Sequence, residues 1–542
     1  LMMRRPPRST PSNSSAASDV YKRQPIGISS FSSIRKDNYL YIDKTQYIWN
    51  LISTGKYYFL SRPRRFGKSL LVSTLRCLFE GKKELFKGLW IYDKWDWSRF
   101  YPVVHIDFNE IKTDSPEILE KDIKEAIINN ARGLDIEVSK ELSISQLFRN
   151  IIIEASRKYK SEVAILIDEY DRPIINHIGV GEERLDIARA NRDVLRTFYG
   201  VIKAGDVQDV TKFVLLTGVS KFSKVSVFSE LNNLTDLTMD TRYGTLLGIT
   251  EQEIDKYLIP YIERFSESNG ISVEEAREKL KGYYNGYRFS KKEIYVYNPY
   301  SLLRCLESQE IENWWFETGT PTFLINLIRE RQYPILHIED MKLKEGAFST
   351  YEIEDLRIEA LLFQTGYITI KNERNGIYQL GYPNKEVKTS FLDVLFEKIV
   401  ENKDPEKIEK RYFIEEKLEE GDIQGFIEII KAIYSGIPYT LEYKLNEAHF
   451  HTLFYVVVAS CGIEARTEVL NCSGRIDMTV EIGNRVYIME FKCNQTPEKA
   501  IEQIKERRYA DMYKGRGKDI HIVGINFSTK TRNIEGYRIE RI

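Results

Sequence analysis

Four short apolar runs in the first half of the chain constrain its fold more than any other feature. Helical stretches separate the runs, and buried runs that alternate with helices are typical of a parallel sheet. The chain from 25 to 249 is therefore predicted to form an α/β domain. The runs are Tyr57–Ser61, Val103–Phe108, Val163–Ile167 and Phe213–Thr217.

The chain has 542 residues, more than one hydrophobic core accommodates, so several domains are expected. Residues 250–434 have a mostly helical pattern and carry no recognisable chemistry. After the break from Ser435 to Pro438 comes an apolar helix, then two alternating strands, a second helix and a final strand. This change of pattern predicts a separate α/β domain over residues 435–542.

The first 24 residues are rich in Ser, Pro and Arg and have no helical or strand period. Because such a segment does not support a packed core, residues 1–24 are expected to be a disordered or artefactual tail. No apolar run follows the arginines as a secretory signal requires, and the run SSAASDVYKRQ resembles translated sequencing-adapter read-through.

Bulk composition excludes few function classes. No apolar run reaches the roughly 18 residues that span a bilayer, so no membrane role is expected. The net charge is -1, so any nucleic-acid contact must come from local basic patches. The five cysteines form no CxxC pair, which argues against a disulfide framework or a cysteine zinc site and favours a cytoplasmic location.

The tripeptide Gly67-Lys68-Ser69 follows an apolar strand and opens a periodic helix. In a P-loop at this position, backbone N–H groups cradle phosphates, the lysine reaches the β and γ phosphates, and the Ser or Thr hydroxyl binds Mg²⁺. The full pattern has a glycine where this chain has Arg62, so the match is partial. The alternative is an ordinary helix start with a solvated lysine.

A second acidic motif supports nucleotide binding. The buried run Val163–Ile167 ends in Asp168-Glu169 and resembles a Walker B strand, in which the aspartate holds Mg²⁺ and the glutamate polarises water. The alternative is a pair of acidic residues that cap a helix. The two motifs together favour an ATP and Mg²⁺ site more than either does alone.

Other polar residues near these motifs are candidates for the same site. Arg65, beside the loop, is included with the nucleotide-binding residues. Thr217 and Ser220 end the next strand, and they either sense the γ-phosphate or cap a turn. An arginine that stabilises phosphate charge cannot be chosen from the sequence among Arg64, Arg65, Arg172 and Arg196.

Residues 474–492 read as a β-hairpin, because two alternating strands flank Gly483-Asn484, a dipeptide suited to a two-residue turn. Counting outward from Ile482 opposite Arg485 places Asp477 opposite Glu490, with the two Cβ atoms about 5 Å apart. Period two also puts Lys492 on that face. The other face is predicted to be core and to consist of Ile476, Met478, Val480, Tyr487, Met489 and Phe491.

Two opposed carboxylates destabilise a sheet unless a positive charge lies between them, and oxygen-only ligands favour Mg²⁺ or Mn²⁺. Asp477 and Glu490 are therefore predicted metal ligands. Lys492 would orient and help deprotonate a water that attacks a phosphodiester. The alternative is a solvent-facing salt bridge among the three side chains.

Flanking helices carry further candidates. Asn446 can cap an apolar helix whose first turn holds Glu447. Downstream, a helix that opens at Thr496-Pro497 contains Gln503 and leads to a basic run. Gln503, Arg507 and Arg508 are the nucleic-acid candidates, although the basic run could equally be a solvated face.

The motifs YIDKTQYI, FLSRPRRFGKSLL, AILIDEYDRPI, VLLTGVSKFS, YYNGYRF and VYNPYSLL occur in this order between about Pro25 and Leu303. Together they resemble bacterial AAA-ATPase-like proteins. The resemblance implies that RPRRFGKS serves as the P-loop and that Arg62 belongs to a family variant of this loop.

The order of helix with Glu, strand with Asp, strand with ExK and helix with Gln and Tyr resembles the PD-(D/E)XK nuclease domain often joined to these proteins. The resemblance implies that Glu447, Asp477, Glu490 and Lys492 are metal and catalytic residues and that Gln503 lies on an accessory helix. The leading dipeptide here is Ile476-Asp477 rather than Pro-Asp.

The sequence as a whole predicts an ATP-binding, ATP-hydrolysing protein with a Mg²⁺-dependent or Mn²⁺-dependent DNA endonuclease domain. A homo-oligomer and a role in defence or mobile-element biology are further hypotheses. The alternative is a nucleotide-switched regulatory or DNA-binding protein whose nuclease-like domain does not cleave.

Overall fold

The computed structural model describes residues 21–179, 181–221, 233–315, 322–331, 333, 335–348, 357–400, 409–437, 445–471 and 474–542. Pro438 and residues 1–20 of the expected tail lie outside the described residues.

The first region contains the predicted parallel sheet, with strands in the order β2-β3-β4-β1-β5. The strands are β1 (Tyr57–Ser61), β2 (Val103–Asp107), β3 (Val163–Asp168), β4 (Thr211–Gly218) and β5 (Thr235–Asp236). All neighbouring strands pair in parallel, so their carboxyl ends share one edge of the sheet. Because β4 lies between β1 and β3, the two phosphate motifs at that edge are one strand apart.

Helices cover this sheet, and every residue of β3 is consequently buried. The helix Lys68–Phe79, called the P-loop helix here, packs on β3, as does Ile144–Tyr159. Ser143 and Gln146 form a capping box at the start of the latter. The remaining α-helices of this region are Phe31–Lys36, Thr45–Thr54, Pro116–Gly133, Arg172–Ile175, Glu182–Gly200 and Gly205–Asp209, with 3-10 turns at Lys83–Phe86 and Val201–Lys203.

The middle region is mostly helical, as predicted, and also holds a three-stranded antiparallel sheet in the order β6-β8-β7. The strands are β6 (Lys342–Lys344), β7 (Thr369–Arg374) and β8 (Ile377–Gly381). The α-helices are Glu251–Tyr257, Ile259–Asn269, Val273–Tyr284, Pro299–Ser308, Thr322–Glu330, Ile358–Thr365, Lys385–Val400, Ile414–Glu420 and Ile423–Tyr434. The 3-10 turns are Ile335–Asp340, Glu345–Phe348 and Lys410–Phe413.

The last region is a five-stranded mixed sheet in the order β13-β12-β11-β10-β9. Its strands are β9 (Ala465–Asn471), β10 (Gly474–Ile482), β11 (Arg485–Cys493), β12 (Asp519–Ser528) and β13 (Asn533–Arg541). The helices Glu447–Ser460 and Pro497–Glu506 and the 3-10 turn Tyr509–Met512 accompany it. β9 and β13 are edge strands that the sequence did not reveal, because half-exposed edges lack a strong apolar alternation.

One hydrophobic core runs through all three regions. It includes Leu75 of the P-loop helix, Leu361 of the middle region and Phe454 of the last region. A second core lies among the middle helices, and a third lies between the last sheet and the helix Pro497–Glu506. The three regions therefore pack against one another.

Residues 21–24, which the sequence assigned to a disordered or artefactual tail, contact the rest of the fold. The Tyr261 hydroxyl donates to the Lys22 carbonyl at 2.5 Å, and Leu40 N donates to the Arg23 carbonyl at 2.9 Å. The Arg23 guanidinium also lies 4.8 Å from the centre of the Tyr39 ring. Hydrogen bonds to main-chain carbonyls hold this segment, and such bonds cannot be predicted from amino-acid composition.

Among the described residues, none of the helices combines the length and the apolar character needed to traverse a bilayer.

Candidate nucleotide site and candidate metal site

A cavity of about 480 Å³ opens at the carboxyl edge of the parallel sheet. Its polar side includes Arg65, Gly67, Lys68, Ser69 and Glu169, which the sequence placed in one site. The lining also includes a largely apolar set, which consists of residues 25–29 together with Pro299, Tyr300 and Leu303. The structure therefore brings most of the predicted nucleotide residues around one space.

Lys68 is held inside the loop that precedes it. Gly67 has a φ of 93°, a left-handed conformation that favours glycine and turns the loop into the P-loop helix. The Lys68 ammonium donates to the Arg62 carbonyl at 3.1 Å and the Pro63 carbonyl at 3.3 Å, and it lies 3.2 Å from the Glu169 carboxylate. Its positive charge is thus aimed at the cavity side of the loop.

Asp168 and Glu169 take different positions at the end of β3. Glu169 lines the cavity, whereas Asp168 is buried behind it and is not among the lining residues. The Asp168 Oδ1 atom accepts hydrogen bonds from the Thr217 hydroxyl and, at 3.1 Å, from Glu169 N. Thr217 therefore fixes the aspartate across β3 and β4.

Asp171 is a site residue that sequence reasoning missed. It lines the cavity and is fully buried, and its Oδ2 atom accepts from Ser220 N and from the Ser220 hydroxyl, both at 2.6 Å. Burial, more than any other cause, raises the pKa of Asp171 to about 6. The second aspartate of the run Asp-Glu-Tyr-Asp was the available signal. Ser220 is engaged by Asp171, which ties the loop after β4 to the acidic motif.

The four arginine candidates separate in space. Arg64, Arg65 and Arg172 line the cavity, and Arg196 is not among the lining residues. Arg65 has a φ of 67°, and its guanidinium lies 4.9 Å from the centre of the Tyr300 ring. Arg172 donates to the Phe108 carbonyl at 3.2 Å and to Asn109 Oδ1 at 3.0 Å.

Arg62 has a structural role at the position where the common pattern has glycine. Its buried guanidinium donates to the carbonyls of Ser61, Thr238 and Tyr243 at 2.9, 2.8 and 3.2 Å. It also lies 4.3 Å from the centre of the Phe289 ring. Arg62 thus joins the end of β1 to the segment after β5, an arrangement a glycine could not provide.

The β10–β11 hairpin has the predicted register. Pairing runs from Ile482 opposite Arg485 to Met478 opposite Met489. At the next position the ladder opens, and the Asp477 Oδ2 atom accepts a hydrogen bond from Phe491 N at 2.8 Å. Asp477 is therefore beside Glu490, bonded to the main chain of the residue that follows it.

The predicted position of Ile476 is wrong. Ile476 packs with Val486, Ile488 and Ile501 in the core beneath the helix Pro497–Glu506, not with the Met478 face. The β9–β10 ladder also skips Asp477, because it pairs Ile476 with Val469 and then Met478 with Thr467. Glu468, opposite Asp477, has a φ of 56°. This irregularity interrupts the period of two.

Glu490 is a buried carboxylate with an unsatisfied oxygen. Its Oε1 atom accepts from Gln503 Nε2 and from Lys492 Nζ, the latter at 3.2 Å. Its Oε2 atom is buried and has no hydrogen-bond partner among the described residues. Burial first, and then the charge of Asp477, raise the pKa of Glu490 to about 8.

Asp477 shares this electrostatic environment. Burial raises its pKa to about 6, although Phe491 N and the Lys492 charge act in the opposite direction. Two neighbouring carboxylates with raised pKa values and an unsatisfied buried oxygen fit an oxygen-ligated divalent ion. Asp477 and Glu490 would hold such an ion.

Glu447 is in the first turn of its helix, whose Asn446 cap accepts from His449 N at 2.9 Å. Its charge contributes to the raised pKa of Asp477, so the two side chains share one neighbourhood. Within the described part of the chain, however, no three His, Cys, Asp or Glu side chains converge as a metal-binding group. The structure thus unites Asp477, Glu490 and Lys492, whereas Glu447 does not complete a three-ligand group among the described residues.

The three nucleic-acid candidates lie in two different environments. Gln503 is turned toward Glu490 and donates to it, so its contact in this structure is with the carboxylate site. Arg507 and Arg508 are exposed at the end of the same helix.

Comparisons with known proteins match the two regions of the chain that contain these sites. A family model described as "Predicted AAA-ATPase" matches residues 25–228, and a model of the PD-(D/E)XK nuclease superfamily matches residues 445–537. A protein of Azotobacter chroococcum mcd 1, described as "Uncharacterized protein in vnfD 5'region", is 39% identical over 534 residues. That alignment covers 96% of this chain and 99% of the other.

Proposed function

Because this chain belongs to the family of AAA-ATPase-like proteins with a C-terminal PD-(D/E)XK nuclease domain, we propose that it binds and hydrolyses ATP at the P-loop cavity and cleaves DNA at the Asp477–Glu490 site. ATP and Mg²⁺, or Mn²⁺ at the second site, are the proposed cofactors. The buried Oε2 atom of Glu490 lies beside Asp477 and has no hydrogen-bond partner among the described residues, and this observation carries the nuclease half of the proposal.

At the nucleotide site, the main-chain N–H groups at the start of the P-loop helix and the Lys68 ammonium would bind phosphates. Lys68 would exchange its contacts with Glu169 and the loop carbonyls for phosphate oxygens. Glu169, thereby released, faces the cavity and can orient a water molecule for hydrolysis. Ser69 and Asp168 are the proposed Mg²⁺ residues, and the apolar wall that includes Tyr300 suits a nucleobase.

At the second site, a bound divalent ion supplies positive charge for the phosphodiester and acidity for a water molecule. Asp477 and Glu490 would hold such an ion. Gln503 fixes the rotamer of Glu490 through its amide donor. Lys492, 3.2 Å from Glu490 Oε1 and hydrogen-bonded to the Phe491 carbonyl at 2.9 Å, is placed to orient the attacking water.

The test is cleavage of single-stranded and double-stranded DNA with Mg²⁺ or Mn²⁺, with and without ATP. Asp477→Ala and Lys492→Ala should each lower the cleavage rate by about 100-fold or more, because they remove a ligand and a proton-handling group. Glu481→Gln is the matched control, since Glu481 is on the same strand and pairs with Lys518 at 2.9 Å. Cleavage that survives Asp477→Ala, or that Glu481→Gln removes equally, would refute the assignment.

A second function has its own support: a nucleotide-switched DNA-binding protein that does not cleave. Gln503 and Lys492 already occupy Glu490 Oε1, and no third ligand residue joins the carboxylates among the described residues. DNA binding by the wild type without cleavage, under every combination of metal ion and nucleotide, would favour this function.

A further inference from the structure

The middle region touches the P-loop directly. The Trp315 indole N–H donates to the Arg64 carbonyl at 3.1 Å, and Arg64 lies in the loop between β1 and Gly67. Trp315 is buried, and its ring centre is 5.3 Å from that of Tyr367. A movement of the loop backbone would therefore strain or break this hydrogen bond to the indole, which is held by packing in the core.

A second segment of the middle region contacts both loops that border the cavity. Gly366, with a φ of 90°, approaches the P-loop so closely that an added Cβ would lie 2.7 Å from Pro63. Two residues earlier, the Gln364 side chain accepts from Lys221 N at 2.7 Å. Lys221 directly follows Ser220, which Asp171 holds. A shift of either loop would thus change its contacts with Gly366 or Gln364 of the middle region.

Trp315 also joins the loop to a long helix. Its main-chain N–H donates to Glu386 Oε1 at 2.8 Å. Glu386 is the second residue of the helix Lys385–Val400, which is called the connecting helix here, and it is fully buried. One residue therefore contacts the P-loop through its side chain and the connecting helix through its backbone.

The connecting helix packs along the helix Glu447–Ser460, called the Glu447 helix here. Asp393 of the connecting helix forms an ion pair with Arg411 at 2.5 Å. Cys461, which caps the Glu447 helix, donates its thiol to the Arg411 carbonyl at 3.4 Å. The Glu447 helix also packs on β11, where the ring centres of Phe454 and Phe491 lie 5.0 Å apart and Phe491 is next to Glu490. Contacts are therefore continuous from the P-loop to β11, the strand that carries Glu490 and Lys492.

We propose that the middle region couples the two sites, with Trp315 and Glu386 as positioning residues between the P-loop and the Glu447 helix. This inference rests on the proposed binding of ATP at the P-loop. When phosphates displace the Lys68 contacts, the loop carrying Arg64 must adjust. Because the packed interior does not deform continuously, the adjustment is passed to the connecting helix and to Glu447.

The experiment measures hydrogen–deuterium exchange of residues 447–460 in the full chain, with and without saturating ATP and Mg²⁺. Affinity for a fluorescent ATP analogue is measured separately on each protein. Trp315→Phe keeps an aromatic ring and the backbone N–H to Glu386 but removes the indole N–H that donates to the Arg64 carbonyl. Trp90→Phe is the control, because Trp90 is 40% exposed. Asp393→Asn, which weakens the ion pair with Arg411, tests the far end of the path.

ATP should change exchange in the Glu447 helix by about fivefold or more in the wild type and in Trp90→Phe, as a coupling of ordinary strength would. Trp315→Phe and Asp393→Asn should bind the analogue but lose most of that change. An unaltered response in both variants, or ATP binding without any response in the wild type, would overturn the coupling. Failure of the wild type to bind the analogue would overturn the proposed nucleotide site, and the coupling with it.

Discussion

Glu386→Gln should make the protein more stable at neutral and alkaline pH. The Glu386 carboxyl is fully buried, accepts one hydrogen bond from Trp315 N, and has an Oε2 atom without a partner among the described residues. Burial is the main cause that raises its pKa from 4.5 to about 8. Glutamine keeps the acceptor for Trp315 and cannot ionise, so the variant avoids a buried negative charge.

The size of the effect follows from proton linkage. In the folded protein Glu386 keeps its proton up to about pH 8, whereas in the unfolded chain it ionises near 4.5. The stability from the protonated carboxyl is therefore complete below pH 4.5 and is lost as the pH rises towards 8. Between pH 6 and pH 8 the free energy of unfolding of the wild type should fall by about 2 kcal/mol, whereas that of the variant should not show this fall.

The assay is thermal unfolding between pH 6 and pH 8, followed through the transition of the middle region. A loss of about 2 kcal/mol corresponds to roughly 4–8 °C for a cooperative unit of this size. Glu397→Gln is the control, because Glu397 is exposed on the same helix and should follow the wild type. A Tm difference between Glu386→Gln and the wild type that stays constant across this range would refute the reasoning.

Three further changes test other parts of the structure. Arg62→Gly, which restores the common loop pattern, should lower the free energy of unfolding by about 3 kcal/mol or more, because three buried carbonyls lose a charged donor. Urea unfolding measures this, and a neutral result would contradict the structural role of Arg62. Lys68→Ala should weaken binding of a fluorescent ATP analogue by roughly 30-fold or more, since a charge contact with phosphate is lost, and equal binding would remove the P-loop assignment. Gln503→Leu should weaken Mn²⁺ binding, measured by calorimetric titration, by about 10- to 100-fold, because Glu490 loses its orienting donor. Unchanged Mn²⁺ affinity would show that Gln503 does not position Glu490.

Local patterns in the sequence were enough for the main elements of both sites. Gly67 and the apolar strand before it predicted the P-loop and its helix, because a left-handed glycine at a strand–helix junction is a local requirement. Gly483-Asn484 and the alternation around it predicted the hairpin register as far as Met478 and Met489. These features depend on residues within a few positions of one another.

The irregular features of the sites could not be found in the same way. The β9–β10 pairing is interrupted at Asp477, opposite Glu468. Glu468 has a left-handed backbone conformation, and because it is not a glycine, the sequence gives no sign of this conformation. Ile476 consequently leaves the face that a period of two assigns to it. The hydrogen bond between Ser220 and Asp171 joins residues 49 positions apart, and no sequence motif predicts that these two residues pair.

The sequence by itself determined which residues are candidates for the chemistry, because motif spacing and hydrophobic period are properties of neighbouring residues. Only the tertiary structure decided how Arg62 replaces a glycine, where the middle region meets the P-loop, and why Glu490 has an oxygen without a hydrogen-bond partner among the described residues. The contact from Trp315 to Arg64 joins residues 251 positions apart. Contacts of this kind arise when separate helices and strands pack into one core, and no local pattern specifies them.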